Sequence, residues 1–194
     1  MRFSPLFAAV VVCLLTLGPF SNVETVSEER TLDAQPVMQT NSDNLSGWLA
    51  SASGTSSERV QAMVPLPNGS MIVAGMFEQS IEFYGDVIGY SSNDSTFGID
   101  LFVAWIDNNG TWTETLAASS SGLDGIDAMG RLSDGTVVVT GTFCGMTKGD
   151  ACNMTLGGLE PLNKSNDDDE NAVFVAAMTP TGGWMWATSF SNNY

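Results

Sequence analysis

The sequence predicts an all-β chain of repeated four-stranded antiparallel blades, and three observations carry that expectation. The chain aligns with itself: "AMVPLPNGSMIVAGMF" (Ala62–Phe77) meets "AMGRLSDGTVVVTGTF" (Ala128–Phe143) at an offset of 66 (62 to 128), and "DLFVAWIDNNGTW" (Asp100–Trp112) meets "AVFVAAMTPTGGW" (Ala172–Trp184) at 72 (100 to 172). Each copy consists of short apolar runs bounded by glycine-containing turns, the pattern of strands covered on both faces. No stretch beyond the first twenty residues has a helical period.

The elements follow in chain order. Arg2 and the 15-residue apolar run Leu6–Phe20 read as a signal peptide over residues 1–21. The run is shorter than the ~20 residues of a spanning helix, and the absence of an A-x-A cleavage site leaves an N-terminal anchor as the second reading. Residues 22–46 are polar and aperiodic and read as a flexible stalk. The repeat region then covers 47–194, as about 47–112, 113–184 and a partial third copy from 184.

Met71–Phe77 and Leu101–Ile106 are continuous apolar runs, as are Thr136–Phe143 and Val173–Met178 apart from their threonines. Ser80–Phe83 and Asn153–Leu156 alternate apolar with polar, as half-exposed outer strands do. Between the runs, Pro67-Asn68-Gly69, Asn108-Asn109-Gly110, Ser133-Asp134-Gly135 and Thr181-Gly182-Gly183 supply the positive φ that tight hairpins require. Trp48 and Trp186 fall at equivalent positions, 66 and then 72 residues apart through residue 114.

A strand covered on both faces needs neighbours on both. Radially stacked blades meet that need, and Gly75 and Gly141 inside strands suit close packing between them. The expected architecture is therefore a partial β-propeller, two repeats and the start of a third. One blade cannot cover both of its own faces, so further propeller repeats are expected, and these 194 residues read as the N-terminal fragment of a longer product.

The pattern D-x-F-V-A-x-x-D-x-x-G-x-W followed by a glycine hairpin resembles the secreted β-propeller repeats known as SBBP repeats. Asp100, Phe102, Val103, Ala104, Asp107, Gly110 and Trp112 carry it; the second copy keeps Phe174, Val175, Ala176, Gly182 and Trp184 but has Ala172 and Thr179 in place of the aspartates. The resemblance implies an extracellular propeller with no assigned activity.

The formal charge of −16 repels nucleic acid and anionic membranes, so neither is an expected partner beyond a possible N-terminal anchor. Without histidine, Ser-His-Asp and Cys-His arrangements and HExxH zinc sites are impossible. No catalytic constellation is identifiable, and no cofactor is expected. Asp167, Asp168, Asp169 and Glu170 gather four carboxylates that are either Ca²⁺ ligands or a solvated charge run. Cys144 and Cys152 remain once Cys13 leaves with the signal; they are an even pair for an oxidising compartment and read as a disulfide between neighbouring strands. Asn44, Asn68, Asn93, Asn109, Asn153 and Asn163 head N-x-S/T sequons and are glycosylation candidates.

The expected function is a non-catalytic secreted or cell-surface module that binds an extracellular protein or glycan. A glycan-acting enzyme of propeller type and a purely structural or adhesive spacer are the alternatives.

Overall fold

In a computed structural model the structure describes residues 39–40, 46–83, 86–90, 98–147, 152–164 and 171–190, and these residues form strands and turns with no helix. The signal segment and most of the stalk lie outside these residues. At the end of the segment read as a flexible stalk, β1 (Gln39–Thr40) pairs with β2 (Ser46–Gly47), which spans the expected boundary at 46/47, in a two-residue antiparallel ladder.

The chain then runs through β3 (Ser53–Gly54), β4 (Glu58–Pro65), β5 (Met71–Glu78), β6 (Ser80–Phe83), β7 (Asp86–Tyr90), β8 (Ile99–Ile106) and β9 (Trp112–Ser119). The second half follows the same plan with β10 (Leu123–Arg131), β11 (Val137–Gly145), β12 (Cys152–Leu156), β13 (Leu162–Lys164), β14 (Ala172–Met178) and β15 (Trp184–Phe190). The pairing gives two four-stranded antiparallel units, β4-β5-β8-β9 and β10-β11-β14-β15. A single parallel bridge, Leu123 to Ile99, joins them.

This pairing sets the phase of the repeat differently from the sequence offsets. Trp184–Phe190, expected to open a third copy, is paired with β14 and closes the second unit. The alternating segments also have a different place from the expected outer strands. Each belongs to a hairpin inserted between the second and third strands, and each hairpin reaches back to the outer strand that precedes its unit. In the second unit β12 pairs β9 through Thr155–Ser119 and Leu156–Ala118; in the first, β6 pairs β3 through Glu82–Ser53 and Ile81–Gly54. Ser53 and Ser119 are repeat equivalents, so the crossing is the same structure built twice. Apolar–polar alternation in a short strand is the same whether the strand edges its own sheet or caps its neighbour's, which is why the sequence did not separate the two.

The turns form as the glycines require. Gly69, Gly110, Gly135 and Gly182 have φ of 84°, 84°, 95° and 94°. All four loops share one hydrogen-bond pattern, illustrated by Leu66 N to Ser70 O and Gly69 N to Leu66 O. Asp107 closes its loop by accepting from Asn109 N and Thr111 N. Thr179, at the equivalent position, uses its hydroxyl to donate to Gly182 O. The second copy thus closes its turn by a bond of the opposite direction, a donating hydroxyl where the first copy has an accepting carboxylate.

The strand glycines also have a repeated cause. Gln61 and Asp127 are the extra residues at register shifts in β4 and β10. A Cβ on Gly75 would meet the carbonyl of Arg59 and lie 2.9 Å from the Phe102 ring; on Gly141 it would meet the carbonyl of Gly125 and lie 2.9 Å from the Phe174 ring. The bulge and the glycine are therefore one device.

Two apolar clusters follow from stacking the units. Ile72, Ala74, Leu101, Val103 and Trp105 of the first unit pack against Val137, Val139, Phe143, Phe174 and Ala176 of the second. The opposite face of the first unit, including Val73, Phe77, Phe102 and Ala104, packs with Ala50 and Ala52 ahead of β3 and with Ile81 and Phe83 of the hairpin. Phe83 seats against Trp112 edge-on at 4.7 Å between ring centroids. Burying the larger of these side chains, from valine to phenylalanine, is worth about 2 kcal/mol each and dominates the favourable energy.

Candidate functional site

The two units leave a cleft of about 490 Å³ at the end of the sheets where the hairpin turns emerge. Its walls come from five places in the chain: Leu66 and Pro67 of the β4–β5 turn, Trp105 at the end of β8, Glu114 on β9, Arg131 at the end of β10 and Pro180 of the β14–β15 turn. Trp105 is only 4% exposed, and its indole N–H donates to Pro180 O at 2.8 Å, which fixes the second unit's turn against the first unit. Glu114 packs where a Cβ on Gly182 would stand. The cleft therefore has a rigid apolar floor, with an acidic and a basic group on separate elements at its exposed rim. Such a lining can orient a ligand by hydrogen bonds and ionic contact while covering its apolar parts.

A second polar cluster lies beneath the junction. Asp100 on β8 is 1% exposed; neither of its carboxyl oxygens makes a hydrogen bond of regular geometry, although the Ser120 amide lies near enough to favour its charge. Asp124 on β10 is 3% exposed and accepts from Ser120 N, Ser120 Oγ and Cys144 N. Burial pushes Asp100 up to about 7, with the Ser120 amide offsetting part of the effect. Asp124 is also raised to about 7, first by burial and further by the charge of Asp100, against the opposing hydrogen bonds from Ser120 and Cys144. The repeat equivalent of Asp124 is Glu58, raised by burial and by nearby Glu78, with an opposing contribution from the Ser56 backbone. A Cβ on Gly54 would meet the Glu58 carboxylate, whereas Ser120, the equivalent of Gly54, keeps its side chain beside the shorter Asp124. Each junction thus holds one carboxyl in the same place, with the longer acid matched to the smaller neighbour. These acids are enclosed and do not open into the cleft.

Cys144 and Cys152 form a disulfide, with Cα atoms 5.9 Å apart. The strands they join are consecutive in the chain but do not pair with each other; the bond ties the end of β11 to the crossing hairpin. Matching β6 to β12 by their partners raises the offset from 66 (77 to 143) to 73 (82 to 155). Cys144 and Cys152 then correspond to Glu78 and Gln79, adjacent residues in the first unit. The bridge closes the base of the inserted loop where the first unit makes a direct step, and loop closure of this length contributes roughly 2–3 kcal/mol. Lys164, 3% exposed, holds the same loop by donating to Cys144 O, Thr147 O and Thr147 Oγ1.

Of the other sequence-derived candidates, Asp167, Asp168, Asp169 and Glu170 lie outside the described residues, as do Asn44 and Asn93. Among the described residues no three or more His, Cys, Asp or Glu side chains cluster as metal ligands. Asn68 and Asn109 are exposed in turns; Asn153 and Asn163 are exposed on β12 and β13. The cleft and the buried acids escaped sequence reasoning because each is assembled from segments far apart in the chain. The available signal was the carboxylate that recurs from Glu58 to Asp124 at the repeat offset. No protein-family model, curated protein or solved structure matches the chain.

Proposed function

We propose that this chain is a non-catalytic, extracellular or cell-surface repeat module of β-propeller type, whose cleft between units binds a partner protein or glycan. The observation that carries the reading is the duplicated junction: a hairpin from each unit pairs with the outer strand before it, and apolar faces stack between successive sheets. Blades set side by side in this way resemble a propeller sector, in keeping with the SBBP-like motif. Ligands of stacked sheets bind at the turn ends, where loops from several strands converge. The leader-like N-terminus and the disulfide fit export to an oxidising compartment.

The test is binding of the folded chain to arrays of glycans and extracellular-matrix proteins, beside a Pro67→Asp/Arg131→Glu variant altered only at exposed positions of the rim. Binding that falls by about tenfold or more in the variant is expected, equivalent to loss of ~1.4 kcal/mol. Equal binding by both proteins would remove the cleft from the reading. Absence of binding to any array would favour a spacer, and release of sugar from the array would favour an enzyme.

A further inference from the structure

The outward face of the second unit is apolar and uncovered. Val173, Trp186 and Phe190 are 41%, 46% and 62% exposed. The positions equivalent to Val173 and Phe190 in the first unit, Leu101 and Ala118, are each 2% exposed because the second unit covers them. Repeat equivalence therefore defines what fits there: the opposite face of a unit of the same kind.

Three positions make the fit specific. Residues 48, 114 and 186 are equivalent. A Cβ on Gly110 would lie 2.9 Å from Trp48 Cβ, so Trp48 seats on the β8–β9 turn. Glu114 seats in the same way on Gly182 of the β14–β15 turn. Trp186 follows both and has no turn glycine after it among the described residues. Residues 48–54 in turn run along the first unit as an outer segment that ends in the two-residue strand β3 and belongs to neither four-stranded unit. They are held by the Ser53–Glu82 and Gly54–Ile81 pairs and by Trp112 Nε1 donating to Ser51 O.

We propose that a second copy of this chain occupies the open face head to tail, with Trp186–Phe190 of β15 in one copy taking the place of residues 48–52 against the first unit of the next. Trp186 takes the place of Trp48 on Gly110, and Ser189 O takes the place of Ser51 O as acceptor for Trp112 Nε1. The same residue type, tryptophan, stands at both competing positions. The exchange substitutes an intermolecular strand for an intramolecular segment held by a two-residue ladder, which is strand displacement. Because the two surfaces differ, the contact is heterologous and generates rings or filaments. The inference rests on the repeat reading of the preceding subsection.

Sedimentation and light scattering of the chain freed of residues 1–21 provide the test. The wild-type chain is expected to associate reversibly at about 1–100 µM, the range of modest interfaces. Trp186→Ala and Phe190→Glu alter exposed side chains and are expected to weaken association about tenfold or more. Trp48→Ala removes the intramolecular competitor and is expected to strengthen association by a similar factor. A wild-type chain that stays monomeric to about 100 µM overturns the proposal, as does a folded Trp48→Ala variant that weakens association. Should Trp48→Ala fail to fold, the wild-type and Phe190→Glu measurements still decide. A monomer that retains the hairpin crossings would fail the docking proposal alone and leave the repeat reading standing.

Discussion

Replacing Gly141 with alanine is expected to lower the unfolding midpoint by about 10 °C, a loss of roughly 2–4 kcal/mol. The added methyl would collide with the Gly125 carbonyl, which is backbone and cannot rotate away, and with the Phe174 ring at 2.9 Å. Relief requires undoing the bulge at Asp127 or displacing a ring that is 0% exposed at the centre of the inter-unit cluster. Gly75→Ala should have a similar effect through Arg59 and Phe102. Gly130→Ala is the control. It lies in the same strand as the bulge, no atom stands within 4 Å of its Cβ position, and its effect should stay within about 0.5 kcal/mol. Thermal unfolding of the three variants checks the set, and equal midpoints for Gly141→Ala and Gly130→Ala would contradict the packing described.

Stability is expected to increase as the pH falls from 8 to 5, the reverse of what paired carboxylates produce. Asp100 and Asp124 are raised from 3.8 to about 7 in the folded chain. The native state therefore holds protons that the unfolded chain releases. The associated stability is fully present below about pH 4 and is lost as the pH rises through about 7. Self-repulsion at a formal charge of −16 acts in the same direction, so the slope alone does not isolate the pair. Asp100→Asn does: it removes the buried charge that has no hydrogen bond of regular geometry, should stabilise the chain at pH 8 by about 1–3 kcal/mol, and should flatten the dependence between pH 5 and 8. Glu160→Gln, an exposed charge change of the same size, should leave the slope nearly unchanged. Asp124→Asn should destabilise instead, because an amide NH₂ would face some of the three donors that now meet the carboxylate. Denaturant titrations at a series of pH values measure all four. An unchanged slope in Asp100→Asn would remove the buried pair from the explanation.

The all-β class and the repeat were legible because turn chemistry and apolar runs are local. Gly69, Gly110, Gly135 and Gly182 announced their hairpins, and the offsets announced the copies. The strand glycines were also legible as close-packing points, although the sequence did not reveal that a carbonyl from a bulge, rather than a neighbouring blade alone, fills the space. The phase of the units was not legible. Trp184–Phe190 has the same composition whether it opens a third sheet or closes the second, and only its pairing with Ala172–Met178 decides. The disulfide partners were evident by elimination, but their purpose was not: that Cys144 and Cys152 stand for two adjacent residues of the first unit depends on the β6 and β12 pairings. The buried acid at Asp100 was hidden for a related reason. Its position in the repeat pattern was visible, but its neighbour Asp124 belongs to the next unit, and Ala172 shows that the second unit does without it.

The most direct measurement of the central claim, that each unit clasps the outer strand before it, is paired cysteine substitution at both crossings. Ser119 and Thr155 are register partners with hydroxyl oxygens 3.2 Å apart, and Ser53 and Glu82 are their repeat equivalents. Ser119→Cys/Thr155→Cys and Ser53→Cys/Glu82→Cys, each in the chain freed of residues 1–21, are expected to oxidise to intramolecular bridges beside the native one, detectable by mass spectrometry of non-reduced peptides. Each should raise the unfolding midpoint, since the loops closed are long. Bridges at both sites are the expected result. Free thiols at both sites in folded protein would contradict the clasp, and a bridge at only one would contradict the equivalence of the two junctions.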